Sequence, residues 1–297
     1  MRTSLDCLPC FMRQALYTAR IATDNVDLQK EILYRASRLL PEFDLTISPP
    51  ENAVALYRMI AETAGCADIF ADLKKESNLL ALKLRPLITE RINRAEDPLA
   101  AAIQFAIAGN IIDYGAHHDF DAEAVINNCL EQQLAINDYA SFRKETAEAG
   151  SILYLADNCG EIVFDSLLIE QLGPQKITLA VKERPIINDA LITDTASCGL
   201  NNLCTVISNG TDCPGTPLAQ CSEEFQDCFH NADLIISKGQ GNFETLSESN
   251  APLYFLLTVK CPVVVDHVNM LAGKSTRVSM GEMILLKPAA NFTEASQ

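Results

Sequence analysis

The chain has 297 residues with 39 Asp and Glu against 23 Lys and Arg, so its formal charge is -16. Hydrophobic residues make up 48% and charged residues 21%, a globular mixture long enough for about two domains with buried cores. The acidic balance argues against nucleic acid as a partner, because a phosphate-backbone binder needs a basic surface, but it leaves room for a local basic side chain inside a pocket.

The 11 cysteines are an odd set in a long chain, and only Cys7 and Cys10 stand in CxxC spacing, so a disulfide-stapled secreted domain is not expected. Asp6 and Arg13 interrupt any apolar signal core near the N-terminus. The longest uncharged apolar stretch, 99–112, contains Gln104 and Asn110 and is too short to span a bilayer. These features predict a soluble chain in a reducing cytoplasm, with no membrane partner; the oligomeric state stays open.

From Ser4 to about Glu148 the apolar spacing is helical. Leu8, Phe11, Leu16 and Ile21 begin it, with Thr3 and Asp6 as a capping-box-like start. Further helices are expected near 26–41, 51–64, 68–92, 97–112 and 121–136, punctuated by Pro49-Pro50, Pro86 and Pro98. Residues 1–148 therefore read as a helical domain. Leu99, Ile103, Ala106 and Asn110 share one helical row with Asp113 a turn further, which makes these polar residues either satisfied core groups or the wall of a cleft. His117 and His118 fall in an expected loop.

From residue 149 to 297 short apolar runs alternate with helices. Strands are expected at 152–156, 177–181, 204–207, 234–236 and 263–265, and helices near 161–172, 188–198, 216–230 and 243–258. Such alternation predicts an α/β domain with a mostly parallel sheet and helices on both faces. In such sheets ligands bind beyond the carboxyl ends of the strands. Those ends read Asp157-Asn158-Cys159-Gly160-Glu161, Arg184-Pro185-Ile186-Ile187-Asn188-Asp189, Ser208-Asn209-Gly210-Thr211-Asp212, Ser237-Lys238-Gly239-Gln240-Gly241-Asn242 and Asp266-His267. Residues 291–297 read as a frayed tail.

Asp157, Asn158 and Asp189 offer hard oxygen donors suited to Mg²⁺ or Mn²⁺, with Co²⁺ and Ni²⁺ as the other candidate cofactors. Lys238 is the local cation a phosphate dianion needs. The glycine turns at 209–210 and 239–241, and a helix starting near Gly160, can bring backbone N–H groups to phosphate oxygens. Asn188, Ser208 and Gly210 join the candidate phosphate contacts. Taken singly, Asp189 reads rather as a helix cap, Asp157 as a strand terminator and Lys238 as a solvated lysine; their common place at strand ends moves the reading to function. Position 244 is Glu, so the dinucleotide fingerprint GxGxxG fails. Cys7 and Cys10 sit near a helix start, where the dipole lowers a thiol's pKa, and read as core packing or a redox-sensitive pair. The other nine cysteines read as small buried hydrophobes, with Cys159 inside the site.

The runs Asp157-Asn158-Cys159-Gly160-Glu161-Ile162-Val163-Phe164-Asp165, Arg184 to Asp189 and Lys238-Gly239-Gln240-Gly241-Asn242-Phe243-Glu244 resemble the damage-control phosphatases, once filed as domain of unknown function 89. Cys7-Leu8-Pro9-Cys10, Ser77-Asn78 and Gly109-Asn110-Ile111-Ile112-Asp113-Tyr114-Gly115 resemble its microbial CxxC-bearing branch. The similarity keeps the same order over essentially the whole chain. It implies a helical domain joined to a Rossmann-like three-layer α/β/α domain, and a metal-dependent phosphatase of small phosphorylated metabolites, such as sugar phosphates or damaged cofactors. The resemblance carries metal ligation onto Asp157, Asn158 and Asp189 and phosphate contact onto Lys238, with Asn242 nearby. Gly109, Asn110 and Asp113 would line the substrate side.

The reaction expected is metal-assisted hydrolysis of a phosphomonoester, with Asp157, Asp189 and Lys238 as the catalytic set. A haloacid-dehalogenase-like aspartyl nucleophile would be followed two residues later by Asp; position 159 is Cys, which favours a metal-positioned water. Two rivals stand further off. One is an S-adenosylmethionine-dependent carboxyl methyltransferase, which needs a glycine-rich first turn that Asp157 to Glu161 lacks. The other is a non-enzymatic binder of metal and phospho-metabolites.

Overall fold

The structure is a computed structural model; it describes residues 1–114, 129, 132–273 and 277–288, with side chains at 110–114 left out. Three helices open the chain: α1 (Cys7–Ala22), α2 (Val26–Leu39) and α3 (Pro49–Ala64). Local signals set their ends. Asn25 accepts the N–H groups of Asp27 and Leu28 at 3.0 and 3.3 Å, Ser48 and Glu51 form a capping box ahead of Pro49, and Gly65 ends α3 at φ 66°. The start of α1 differs from the expected capping box. Asp6 makes no side-chain cap, and Thr3 donates instead to the Ile47 carbonyl at 2.7 Å. Phe11, Ala15, Ile32, Leu56 and Ile60 give these helices a core of their own.

α4 (Ala71–Arg94) and α5 (Pro98–Tyr114) follow, and β1 (Leu134–Asn137) and α6 (Tyr139–Glu148) lead into the repeating half. There β2 (Ile152–Leu155), α7 (Glu161–Leu172), β3 (Ile177–Val181), α8 (Ile192–Ser197), β4 (Thr205–Ser208) and α9 (Glu223–Asn231) are succeeded by β5 (Leu234–Lys238), α10 (Gln240–Leu246), β6 (Leu253–Thr258), α11 (Pro262–Ala272) and β7 (Met283–Leu286). The seven strands form one sheet in the order β1-β7-β6-β5-β2-β3-β4, parallel except between β6 and β7. This is the α/β class with a mostly parallel sheet. Among the described residues, no helix is long and apolar enough to cross a membrane.

Alternate strand residues leave on opposite faces, as the two-residue period requires. Ile152, Tyr154, Leu179, Ile236 and Leu256 enter one core with α4, α5 and α7, while Leu153, Leu155, Ile235, Phe255 and Leu257 enter the other with α9, α10 and α11. The chain thus lays helices on both sheet faces. Its cores do not divide at residue 148: α4 and α5 share a core with the sheet, and Leu134–Asn137, overlapping the end of the helix expected at 121–136, pairs with β7.

Two further expectations are corrected. Val263–Val265 lies in α11, not in a strand, because Pro262 occupies the first turn of a helix capped by Cys261. The expected helix at 243–258 is a short helix, α10, followed by the strand β6. A continuous apolar run is consistent with either element, and burial on both faces makes Leu253–Thr258 a strand. Asp266 and His267 therefore sit on a helix rather than at a strand end; His267 Nε2 pairs with Ser247 Oγ at 2.9 Å, and burial pushes the imidazole down to about 4. His117, His118 and the tail from 291 lie outside the described residues.

Helix α5 meets α7 at Gly109, where an added Cβ would come within 2.8 Å of Phe164 Cδ2 and 3.3 Å of Glu161 Cγ. Gly109→Val is therefore expected to force the two helices apart at a cost of about 1–3 kcal/mol. Calorimetry should show the lowered Tm; an unchanged Tm would contradict this packing.

Candidate active site

The chain steps outward from β2 through β3 to β4, then returns to β5 on the other side of β2. The carboxyl ends of β2 and β5 thus border the crevice where the strand order reverses. The loop after β2 and the loop before α8 meet there as a short antiparallel bridge between Asn158 and Asp189. Cys159 N–H donates to Asn188 O and Ala190 N–H to Asp157 O, both at 2.9 Å. This backbone pairing, not a side-chain contact, brings Asn158 and Asp189 side by side.

The Asn158 amide spends both N–H groups on carboxylates, Asp157 Oδ2 and Glu161 Oε1, each at 2.8 Å. Its remaining capacity for a ligand is the Oδ1 oxygen. Opposite Asp157 lies Gly239 at φ 77°, where an added Cβ would stand 2.0 Å from Asp157 Oδ2. Only glycine fits that approach. The N–H of Gly160, which caps α7, donates to Asn78 Oδ1 at 2.7 Å, so α4 fixes the turn after Asp157.

Lys238 is buried and its ammonium has three acceptors: Asp165 Oδ1 at 2.7 Å, the Ala106 carbonyl at 2.7 Å and Glu161 Oε2 at 3.4 Å. The Tyr154 hydroxyl donates to the same Asp165 oxygen at 2.7 Å. On the other side, Lys182 Nζ lies 3.8 Å from Asp189 Oδ2 and donates to Gly215 O.

Acidic charge dominates this cluster. Burial holds the Asp157 carboxyl well above the usual range, and Glu161 and Asp189 add repulsion. Burial pushes Asp189 up to about 7 against the pull of Lys182, and raises Asp165 against Lys238. Asp189 Oδ2 is buried with no hydrogen-bond partner. Crowded carboxylates with an unsatisfied oxygen have the charge and donor type a divalent cation takes. Among the described residues no three His, Cys, Asp or Glu side chains form a ready metal-holding group. The fit therefore rests on two carboxylates and the Asn158 oxygen, a set that leaves positions for water or substrate.

Residues 3–275 match the damage-control phosphatase ARMT1-like domain. The chain belongs to this phosphatase family. It is 35% identical over 279 residues to damage-control phosphatase PH1575 of Pyrococcus horikoshii, covering 92% of this chain and 96% of that protein. A damage-control phosphatase of Archaeoglobus fulgidus is 31% identical over 284 residues, covering 92% of this chain and 97% of the other. The crystal structure of the Pyrococcus horikoshii protein, described as a DUF89 family protein, superposes with a TM-score of 0.87 at 32% identity, covering 97% of this chain and all of that one.

Within this damage-control phosphatase fold the expected metal ligands Asp157, Asn158 and Asp189 come together, whereas several expected phosphate contacts are committed elsewhere. Lys238 has no ammonium proton left over as it stands. Asn242 donates to Ala156 O at 3.1 Å and Lys238 O at 2.9 Å and accepts from Thr216 Oγ1 at 2.7 Å, so it ties β2 to β5. Gly210 N–H is taken by Ser208 Oγ at 3.0 Å, and Gly239 N–H by Leu256 O at 3.0 Å. A Cβ on Gly210 would meet Ser222 N at 2.6 Å, which places the Ser208–Gly210 turn against the start of α9. Asn188 serves the bridge through its carbonyl. Asn110 and Asp113 are on α5, with side chains outside the described residues.

Three residues of the cluster were given no role in the sequence reading, Glu161, Asp165 and Lys182, although the first two stand in the run from Asp157 to Asp165. The first two carried a signal, because carboxylates four apart share a helix face and these follow Asp157-Asn158 directly. The thiols read differently from expectation as well. Burial raises the Cys7 thiol against the backbone hydrogen bond with Ser4, which lowers it, and Cys66 is exposed. Cys159 is buried and its thiol is pushed up, so it is no nucleophile.

Because folding holds Asp189 at about 7 rather than 3.8, the folded chain binds that proton more tightly than the unfolded chain. Its contribution is thus fully favourable below about pH 4, is lost between about pH 4 and 7, and is level above that. In chelator, the stability advantage of Asp189→Asn over the native chain should grow from near zero at about pH 4 to roughly 2–4 kcal/mol at about pH 8. Denaturant melts at the two pH values measure it, and a constant difference would contradict the assignment.

Proposed function

We propose that this chain is a metal-dependent phosphatase that hydrolyses phosphomonoesters of small metabolites, sugar phosphates or damaged phospho-metabolites. The observation that carries the reading is the backbone bridge between Asn158 and Asp189 next to Asp157, together with an Asp189 oxygen that is buried without a hydrogen bond. Asp157, Asn158 and Asp189 would hold one divalent ion, Mn²⁺, Mg²⁺, Co²⁺ or Ni²⁺. When bound, such an ion supplies Lewis-acid polarisation of the phosphoryl oxygens and positions water.

The chain's own residues do the rest. Asn158 fixes the Asp157 and Glu161 carboxylates through its two N–H bonds. Gly239 keeps the space in front of Asp157 free of a side chain. Lys238 sets the charge of the cluster, and its loosest contact, Glu161 at 3.4 Å, is the one a phosphate oxygen would replace. Lys182 restrains Asp189 from behind. Water is favoured over Asp157 as nucleophile: Asp157 is clamped by Asn158, and the position two residues on holds a buried, protonated thiol in place of a second acid.

Turnover of p-nitrophenyl phosphate tests the reading. Activity should require added Mn²⁺ or another of these ions, vanish in chelator, and fall about a hundredfold or more in Asp157→Asn and Asp189→Asn. Full activity in chelator would refute the metal, and no activity with any of the ions would refute the phosphatase. Acid quenching during turnover should trap no phosphoprotein, and phosphorylated Asp157 would overturn the water nucleophile.

A further inference from the structure

A cavity of about 230 Å³ opens between α3, the segment before α4 and the loop before Asp189. Tyr57, Phe70 and Ile187 supply apolar wall, and Arg58, Arg184 and Asp212 supply charge. Its size suits a small organic group rather than a large one. Asp68 also lines it; its Oδ2 pairs with Lys74 at 2.6 Å, and its Oδ1 is buried without a hydrogen bond.

The cavity and the Asp157–Asp189 cluster draw on the same loop, which lines the cavity with Arg184, Pro185, Ile186 and Ile187 and ends at Asp189. Ile187 is two residues from Asp189, so their Cα atoms are at most about 7.6 Å apart. Among the described residues Ile187 is the one non-glycine position with positive φ, 43°. A β-branched side chain held there is strained, and such strain persists where the surroundings impose it. Here the surroundings are visible. Ile186 is buried in the core of α1–α3 and Ile187 packs on that core, while Asn188 and Asp189 are pinned in the bridge to Cys159 and Asn158. The loop is thus stretched between the helical core and the cluster, with the cavity on its flank.

Its charge is unusual for a chain of formal charge -16. Arg58 and Arg184 share one counter-ion, with Nη2 atoms 3.4 and 3.5 Å from Asp212 Oδ2, and their side chains are 60% and 64% exposed. Exposed pairs at that length contribute little, and each guanidinium keeps donors in reserve. With Asp68 offset by Lys74, the two guanidinium groups face the single carboxylate of Asp212 next to an apolar wall.

We propose that this cavity receives the organic remainder of the phosphate ester and selects remainders that carry a second anionic group, taken by Arg58 and Arg184 in competition with Asp212. This rests on the phosphatase reading, and names the substrate class for it: a small ester with its phosphate at the Asp157–Asp189 cluster and a carboxylate or second phosphate at the two arginines. Planar guanidinium groups bind such oxygens through paired charge-assisted hydrogen bonds.

The test compares 4-carboxyphenyl phosphate with neutral 4-carbamoylphenyl phosphate, using Mn²⁺-loaded native protein, the double variant Arg58→Ala/Arg184→Ala, and Asp212→Asn. Each ester's intrinsic reactivity is common to all three proteins, so the ratio of kcat/KM values isolates the cavity. The native preference for the carboxylate ester should fall about tenfold or more in the double variant and rise in Asp212→Asn. A ratio that is the same in all three proteins overturns the inference while leaving the phosphatase intact. Isothermal titration with the non-hydrolysable 4-carboxyphenylphosphonate and phenylphosphonate gives a readout without turnover. If neither ester is hydrolysed, an arginine-dependent preference in titration upholds the cavity against a failed phosphatase reading, and equal binding to native and double-variant protein overturns it.

Discussion

The carboxylates of Asp157, Glu161, Asp165 and Asp189 gather at the carboxyl ends of the central strands, where Lys182 and Lys238 are buried with them. Burying one unpaired ion costs several kcal/mol, and a cluster with more carboxylates than ammonium groups is held only by strong surroundings. The structure shows how the cost is met. Lys238 neutralises Asp165 and leans on Glu161, Tyr154 donates to Asp165, and Asn158 donates to both Asp157 and Glu161. What is left is a negative excess at Asp157 and Asp189, which burial and mutual repulsion push toward the protonated form. A divalent cation relieves that excess, which is why the same arrangement reads as a binding site.

The surrounding fold is arranged to hold this cluster still. The strand-order reversal opens the crevice between β2 and β5, and Asn242 ties their ends together. From the opposite sheet face, α5 brings the Ala106 carbonyl to Lys238 and passes α7 at Gly109, while Asn78 of α4 caps the turn at Gly160. Helices α4 and α5 therefore belong with the sheet in packing and with the site in support. α1–α3 form a separate core, and it reaches the site through Ile186 and Ile187. The carboxylate cluster and the side cavity are thus held by different layers of the same chain.

Much of this was legible in the residues. Four of the five expected strands match observed ones: β2, β3 and β5 are buried on both faces and leave a short apolar run with a polar end, and the edge strand β4 is legible although it is more exposed. The run at 253–258 misled, since Leu253-Tyr254-Phe255-Leu256-Leu257 fits strand or helix equally, and Val263-Val264-Val265 misled because β-branched residues entered a helix behind Pro262. The donors Asp157, Asn158 and Asp189 were visible as strand-end residues. The fate of Lys238 was not: its partners Ala106, Glu161 and Asp165 come from distant elements, and nothing local announces that its protons are already taken. The same holds for Asn242 and Gly210, whose polar groups close turns and link strands. Strain at Ile187 was equally invisible, as it arises from two anchors on unrelated parts of the fold.

The central claim is that Asp157, Asn158 and Asp189 share one cation. An anomalous-difference map from crystals soaked in Mn²⁺, with data collected near the manganese edge, tests it most directly. The account predicts a single strong peak within bonding distance of one oxygen from each of the three side chains, about 2.0–2.3 Å away. A map with no peak there, or with its peak bound by other residues, would contradict it.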